Sequence, residues 1–193
     1  MGLRKRVDFV KSTFTYTTIM IMHLKIFLLI SSLTLVLGSQ PSCLQYIDFF
    51  RGEWNLVTRN LQRDGSYVTG EAVSTAYVIL DGNAIQDDFR SLNEKGEVIF
   101  RGTSIRSCLE ETSEYLIAWV MPGREGYTHL RALWSKGVLG GEGQGFDGYG
   151  PFRERFRYFN ITDSSYSFQM DRSYDEGQTW LQNFSIIKAT KKQ

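Results

Sequence analysis

Three charged side chains sit on stretches that otherwise alternate like half-buried strands. Asp87 falls between Ile85 and Phe89, Arg106 shares its face with Ser104 and Phe100, and Arg157 shares one with Phe159 and Ile161. Alternate residues of a strand point to opposite faces, so each charge lands on a face that is mostly apolar. A charge buried there is costly unless it is paired or held against a polar ligand. Two arrangements satisfy the same charges. In one, Arg106, Arg157 and Asp87 gather in an interior and hold an anionic or carbonyl-bearing molecule. In the other, they form a buried network that only ties strands together. Tyr115, Ile117 and Trp119 make a further face, and Tyr127, His129, Arg131 and Leu133 another. Tyr115, Trp119, His129 and Arg131 therefore join the candidate ligand-binding residues.

Residues for covalent or metal chemistry are scarce. His129 is the single histidine beyond residue 39, which excludes a site built from several histidines. There is no Gly-x-Ser-x-Gly nucleophile elbow. Asp175 and Glu176 are adjacent turn residues, whose side chains point apart. The seven glycines between Gly137 and Gly150 lack the Gly-Lys-Ser/Thr ending of a phosphate-binding loop. They are expected to form a flexible hairpin loop. No cofactor and no metal are expected. The alternative to a binding protein is a barrel enzyme of cyclase or isomerase type, with Asp87 or His129 moving the proton.

The chain that carries these residues has 193 of them, 42% hydrophobic and 14% aromatic, with three prolines. That is enough to bury the core of one domain. Ile26 to Leu37 is an uncharged run of twelve residues, shorter than the ~20 needed to span a bilayer. It reads as the apolar region of a signal peptide, with cleavage close to Ser39. Residues 1–39 are expected to be an extension plus that signal, with translation starting at Met20 or Met22, and residues 40–193 to be the mature domain. Their removal takes away Arg4, Lys5, Arg6, Lys11, Lys25 and Asp8, leaving 17 basic against 20 acidic side chains. Such a balance gives no pull toward nucleic acid or an anionic membrane. No stable membrane anchor is expected, and the oligomeric state is open. Cys43 and Cys108 would reach an oxidising compartment, either paired or as two separate thiols.

Ser42-Cys-Leu-Gln45 has the form of a capping box, and Leu44, Ile47 and Phe50 follow at helical spacing. A helix of about two turns is expected, ending before Gly52. Beyond it the chain reads as strands at 54–60, 66–78, 83–91, 98–106, 114–120, 127–134, 153–161, 165–173 and 179–190. The turns between them carry Asp64-Gly65, Asp81-Gly82, Lys95-Gly96, Pro122-Gly123 and Thr162-Asp163. A meander this long removes its edges by closing on itself. The expected fold is all-β, an antiparallel up-and-down barrel of eight to ten strands with a short N-terminal helix.

The last hairpin, Ser173-Tyr-Asp-Glu-Gly-Gln-Thr-Trp180, places Ser173 and Asp175 to accept turn amides. It leaves Gly177 free for positive φ and opens the final strand on Trp180 as a buried anchor. It resembles an Asp-box, a structural hairpin of sialidase-type propellers, but one copy does not make a propeller. Gly52-Glu-Trp54 at the first strand resembles the opening motif of lipocalins and other calycins. In those barrels the tryptophan plugs one end beside a basic side chain from the chain's end, a role that falls to Lys188 here. Four segments occur in order: Leu80–Asp87, Arg101–Arg106, Arg155–Thr162 and Ser173–Trp180. Together they resemble an uncharacterised group of bacterial calycin-like barrels, from which Asp88, Tyr115 and Met170 depart. The resemblance implies a barrel with an interior cavity and no particular activity. The expected function is a secreted or periplasmic lipocalin-like protein that binds a small, partly apolar ligand inside the barrel.

Overall fold

Apolar and polar residues alternate along nearly every segment after residue 52, and the backbone follows that alternation into strands. The computed structural model describes residues 42–193; the expected signal segment lies outside the described residues. Ten strands run in order: β1 Gly52–Leu61, β2 Tyr67–Ile79, β3 Ala84–Leu92, β4 Val98–Leu109, β5 Glu114–Val120, β6 Thr128–Ser135, β7 Val138–Asp147, β8 Gly150–Phe159, β9 Ser165–Ser173 and β10 Leu181–Lys191. Each pairs antiparallel with its neighbour in sequence, and β10 returns to β1 with Trp54 opposite Lys191, which closes the barrel.

β7 lies within the stretch expected to be a loop. Its glycines are spaced for a strand: Leu139, Gly141, Gly143, Gly145 and Asp147 alternate with Glu142, Gln144 and Phe146. A Cβ at Gly141 or Gly143 would collide with the carbonyl oxygens of Arg131 and His129 on β6. At Gly145 it would lie 2.6 Å from the Phe152 ring. The glycines thus permit a close approach of backbones, a use of glycine that composition alone reads as flexibility.

The N-terminal element also differs from expectation. Cys43–Phe50 is a 3-10 helix, with the Gln45 amide donating to the Ser42 carbonyl at 2.9 Å. No capping box closes it. The Glu110 carboxylate caps it from the end of β4, accepting the Ser42 hydroxyl at 2.8 Å and the Cys43 amide at 3.2 Å. A disulfide joins Cys43 to Cys108, with Cα atoms 6.1 Å apart, and the Tyr115 hydroxyl donates to the Cys43 carbonyl at 2.8 Å. The first turn is therefore held in part by Ser42, whose Oγ accepts the Leu44 amide at 3.4 Å, and in part from outside the helix, by β4 and β5.

This helix plugs one end of the barrel. Ile47, Phe50 and Trp54 are fully buried there, and the Trp54 indole donates to the Phe50 carbonyl at 2.7 Å. The basic partner of Trp54 is Lys191, whose Nζ lies 5.4 Å from the ring, and not Lys188. Parity explains the difference. Ala189 is an inward residue of β10 and Lys191 follows two places on, whereas Lys188 is exposed opposite Val57 on the outer wall. Gly52 has φ +114°, and a Cβ there would sit 2.9 Å from Lys191 Cε, so the opening glycine also makes room for that lysine.

The Ser173–Trp180 hairpin stands at the opposite, open end. The Gly177 amide donates to Ser173 Oγ at 2.8 Å, and the Asp175 carboxylate accepts the Thr179 amide at 2.9 Å and the Thr179 hydroxyl at 2.6 Å. Gly177 adopts φ +91°. Trp180 is half-buried on the outer wall and not the core anchor expected; its indole donates to the Gly177 carbonyl at 3.0 Å under the Arg155 guanidinium.

Candidate ligand-binding cavity

Between the plugged floor and the open end lies a cavity of about 440 Å³, within the size range of small-molecule sites. Its middle walls are apolar, from Leu56, Ile117, Leu130, Phe156, Phe168 and Ile187. Trp119 lies across Gly102, where any side chain would strike the indole. Most of its charged groups gather in two clusters, while Arg124 and the polar side chains of Thr58, Asn60, Ser91, Thr128 and Ser185 line it as well.

The deep cluster stands on the floor. Arg106 Nη2 donates to Asp87 Oδ2 at 3.0 Å, and the Ser74 hydroxyl donates to the other carboxylate oxygen. The guanidinium carbon lies 4.1 Å from the centre of the Phe50 ring. Arg106 is 4% exposed and Ser104 1%. Arg106 Nε, Arg106 Nη1 and Ser104 Oγ have no hydrogen-bond partner among the described residues. Burial is the largest single influence and works against the arginine's charge, but the Asp87 carboxylate together with the neighbouring Tyr158 and Tyr166 more than offsets it and holds the guanidinium above its ordinary pKa. Burial also raises the phenols of Tyr158 and Tyr166, which line the same end, so both stay protonated.

The second cluster, nearer the mouth, has residues that the sequence reading did not single out. Arg172 is sandwiched between Phe152 at 3.9 Å and Phe184 at 4.3 Å. It bridges Glu154 and, at 2.8 Å, Asp147, which also accepts the Tyr174 hydroxyl at 2.8 Å. Burial raises the Glu154 pKa against the opposing pull of Arg172. A signal was present: Glu154 falls between Phe152 and Phe156 at a spacing of two, the same pattern that marked Asp87.

Of the sequence-derived candidates, Asp87, Arg106 and Trp119 line the cavity together. Tyr115 is buried but belongs to the floor, where it holds the helix. His129, Arg131 and Arg157 have the opposite parity to cavity-lining Thr128, Leu130, Phe156 and Tyr158, and stand on the outer wall. Arg131 pairs with Glu114 at 2.7 Å, and Arg157 donates to Gln169 at 2.7 Å beside Phe159. Phe159 and Ile161 made that outer face look apolar; Phe159 is instead a surface ring covered by an arginine. Of the departures from the resembled group, Met170 lines the cavity. Asp88 faces outward, accepting hydrogen bonds from Tyr77, Gln86 and Thr103. Among the described residues, no three His, Cys, Asp or Glu side chains are grouped to hold a metal ion.

No family model and no curated protein matches the chain. Solved structures do share its fold. Rv2717c from M. tuberculosis superposes with a TM-score of 0.58 at 11% identity, over 81% of this chain and 100% of that one. The S-type phycobiliprotein lyase CPES from Guillardia theta superposes at 0.56 and 10% identity, over 80% of this chain and 94% of the other. At such identities the likeness is one of architecture: the chain is a closed ten-stranded antiparallel barrel, a fold that fits the calycin-like barrel expected from the sequence.

Proposed function

We propose that the protein is a carrier that holds a small, partly apolar molecule inside the barrel, and that it does so outside the cytoplasm. The observation behind the first part is a cavity of about 440 Å³ whose walls are mostly apolar and whose deep end holds buried, unpartnered polar atoms on Arg106 and Ser104. Polar atoms that are buried without partners are rare in folded proteins, and a bound ligand is one of the few things that accounts for them. Export is supported by the uncharged run at Ile26–Leu37 and by the Cys43–Cys108 bond, which needs an oxidising compartment to persist.

Asp87 carries no catalytic role in this reading, because both its oxygens are already engaged by Ser74 and Arg106. Native mass spectrometry of the protein purified from the cells that make it tests the proposal. A small organic molecule at one copy per chain, released on unfolding, is the expected result. Uptake of no apolar probe by the ligand-stripped chain would overturn it.

A further inference from the structure

The deep end of the cavity holds a charge pair that is already neutral. Asp87 and Arg106 cancel each other, and the carboxylate's two oxygens each accept one hydrogen bond, from Arg106 and from Ser74. What remains there is chiefly donor capacity, with the Tyr158 phenol as the other protein group beside Arg106. Arg106 Nε carries one such N–H and Nη1 two, and the Ser104 hydroxyl stands on the same strand face, also without a partner. These atoms are closed even to water, so a ligand group reaches them only after a small shift of the guanidinium, and it then meets donors within a pair of zero net charge.

From this arrangement we infer that the ligand's polar end is a neutral carbonyl, as in a ketone, amide or lactone, seated against Arg106 and Ser104 with its apolar body toward Trp119 and Phe156. The inference rests on the carrier reading above and adds the chemical class of the ligand. A carbonyl oxygen offers two lone pairs and no proton, which is what the unclaimed N–H and O–H groups lack. A carboxylate would satisfy the same donors. It would also leave a net negative charge buried beside Asp87, the unfavourable case of two like charges in a low-dielectric site. A cation would meet the buried guanidinium. The raised phenols of Tyr158 and Tyr166 agree, because they stay neutral at this end and add no charge of their own.

The test compares three probes of nearly one shape on the intact, disulfide-bonded chain at neutral pH: naphthyl methyl ketone, naphthoate and ethylnaphthalene. Affinities are read by displacement of the neutral fluorophore N-phenylnaphthylamine. The ketone is expected to bind about tenfold or more tighter than ethylnaphthalene, the scale of a hydrogen bond to a charged donor, and tighter than naphthoate as well. Ser104→Ala should shrink the ketone's advantage several-fold while ethylnaphthalene binds as before. Because Arg106→Met alone strands Asp87, the charge-balanced double variant Asp87→Ala/Arg106→Met is used for the arginine; in it the ketone's advantage over ethylnaphthalene should fall further than in Ser104→Ala, to what the Ser104 hydroxyl alone supports. If naphthoate binds most tightly, the site is an anion receptor and the inference is wrong. If the ketone and ethylnaphthalene bind alike, the free donors are structural and it is equally wrong. In both of those cases the carrier reading survives, whereas failure of every probe and of the fluorophore removes both.

Discussion

Arg106 reaches Asp87 through one nitrogen only, Nη2 to Oδ2 at 3.0 Å, a side-chain bond between the neighbouring strands β4 and β3 at the deep end of the cavity. Both residues are buried, so the pair carries stability as well as any binding role. Removing one partner leaves the other charge buried and alone. Asp87→Ala should therefore lower the unfolding free energy by about 3–5 kcal/mol. Asp87→Ala combined with Arg106→Met should recover much of that loss. Urea denaturation of the three proteins checks the ordering.

The Asp175 carboxylate should give the mouth hairpin an acid-sensitive contribution. Its bonds from the Thr179 hydroxyl and amide, and from Ser173, lower its pKa to about 2. A carboxylate whose folded pKa is depressed stabilises the fold above its unfolded value of ~3.9 and loses that contribution as pH falls toward the folded value. Thermal melts should show the parent more stable than Asp175→Ala at neutral pH, with the gap closing between about pH 4 and about pH 2. Glu176→Ala, at an exposed turn position, should melt like the parent throughout.

The Cys43–Cys108 bond closes a loop with a sequence separation of 65. On the chain-entropy account it adds ~4 kcal/mol. Replacing both cysteines by serine should lower stability by that order, seen as a shift in the denaturant midpoint. It should also loosen the plug, read as faster amide exchange at Phe49 and Phe50 than in the parent.

Much of this architecture was legible because period-two alternation is a strong signal. Nine strands, the barrel's closure and the inward placement of Asp87, Arg106 and Trp119 all follow from it. Parity within one strand is harder. Arg157 has Phe159 and Ile161 on its own face, and from sequence that face is indistinguishable from an inner one. The structure separates them only because Phe156 and Tyr158, between them, turn inward. β7 was hidden for another reason, since glycine composition reports backbone freedom and not the backbone proximity that Gly141 and Gly143 permit. Glu154 and Arg172 form a pair across two strands, and pairing of that kind is decided by register, which no local pattern contains.

The β7 glycines yield a prediction of their own. Gly143→Val should destabilise the fold by several kcal/mol or prevent folding, because the new side chain would meet the β6 backbone, which cannot turn aside. Gly148→Ala, in the turn beyond β7 where a Cβ has space, should change stability little. Soluble yield and thermal melts of the two variants separate them.

Export can be checked at the chain's end. N-terminal sequencing of the secreted or periplasmic protein should begin between Ser39 and Pro41. Recovery of a chain that starts at Met1 or Met22 as the mature form would contradict the proposed export.

The central claim is that the barrel interior is a binding site, and the most direct measurement is a titration of the ligand-stripped chain with N-phenylnaphthylamine beside the variant Leu130→Trp. Leu130 lines the middle of the cavity, so the larger ring fills it from within. Saturable binding at one fluorophore per chain is expected in the parent, and loss of that binding in Leu130→Trp, with the variant still folded by circular dichroism. Binding of equal strength in the filled variant, or no saturable binding in the parent, would contradict that claim.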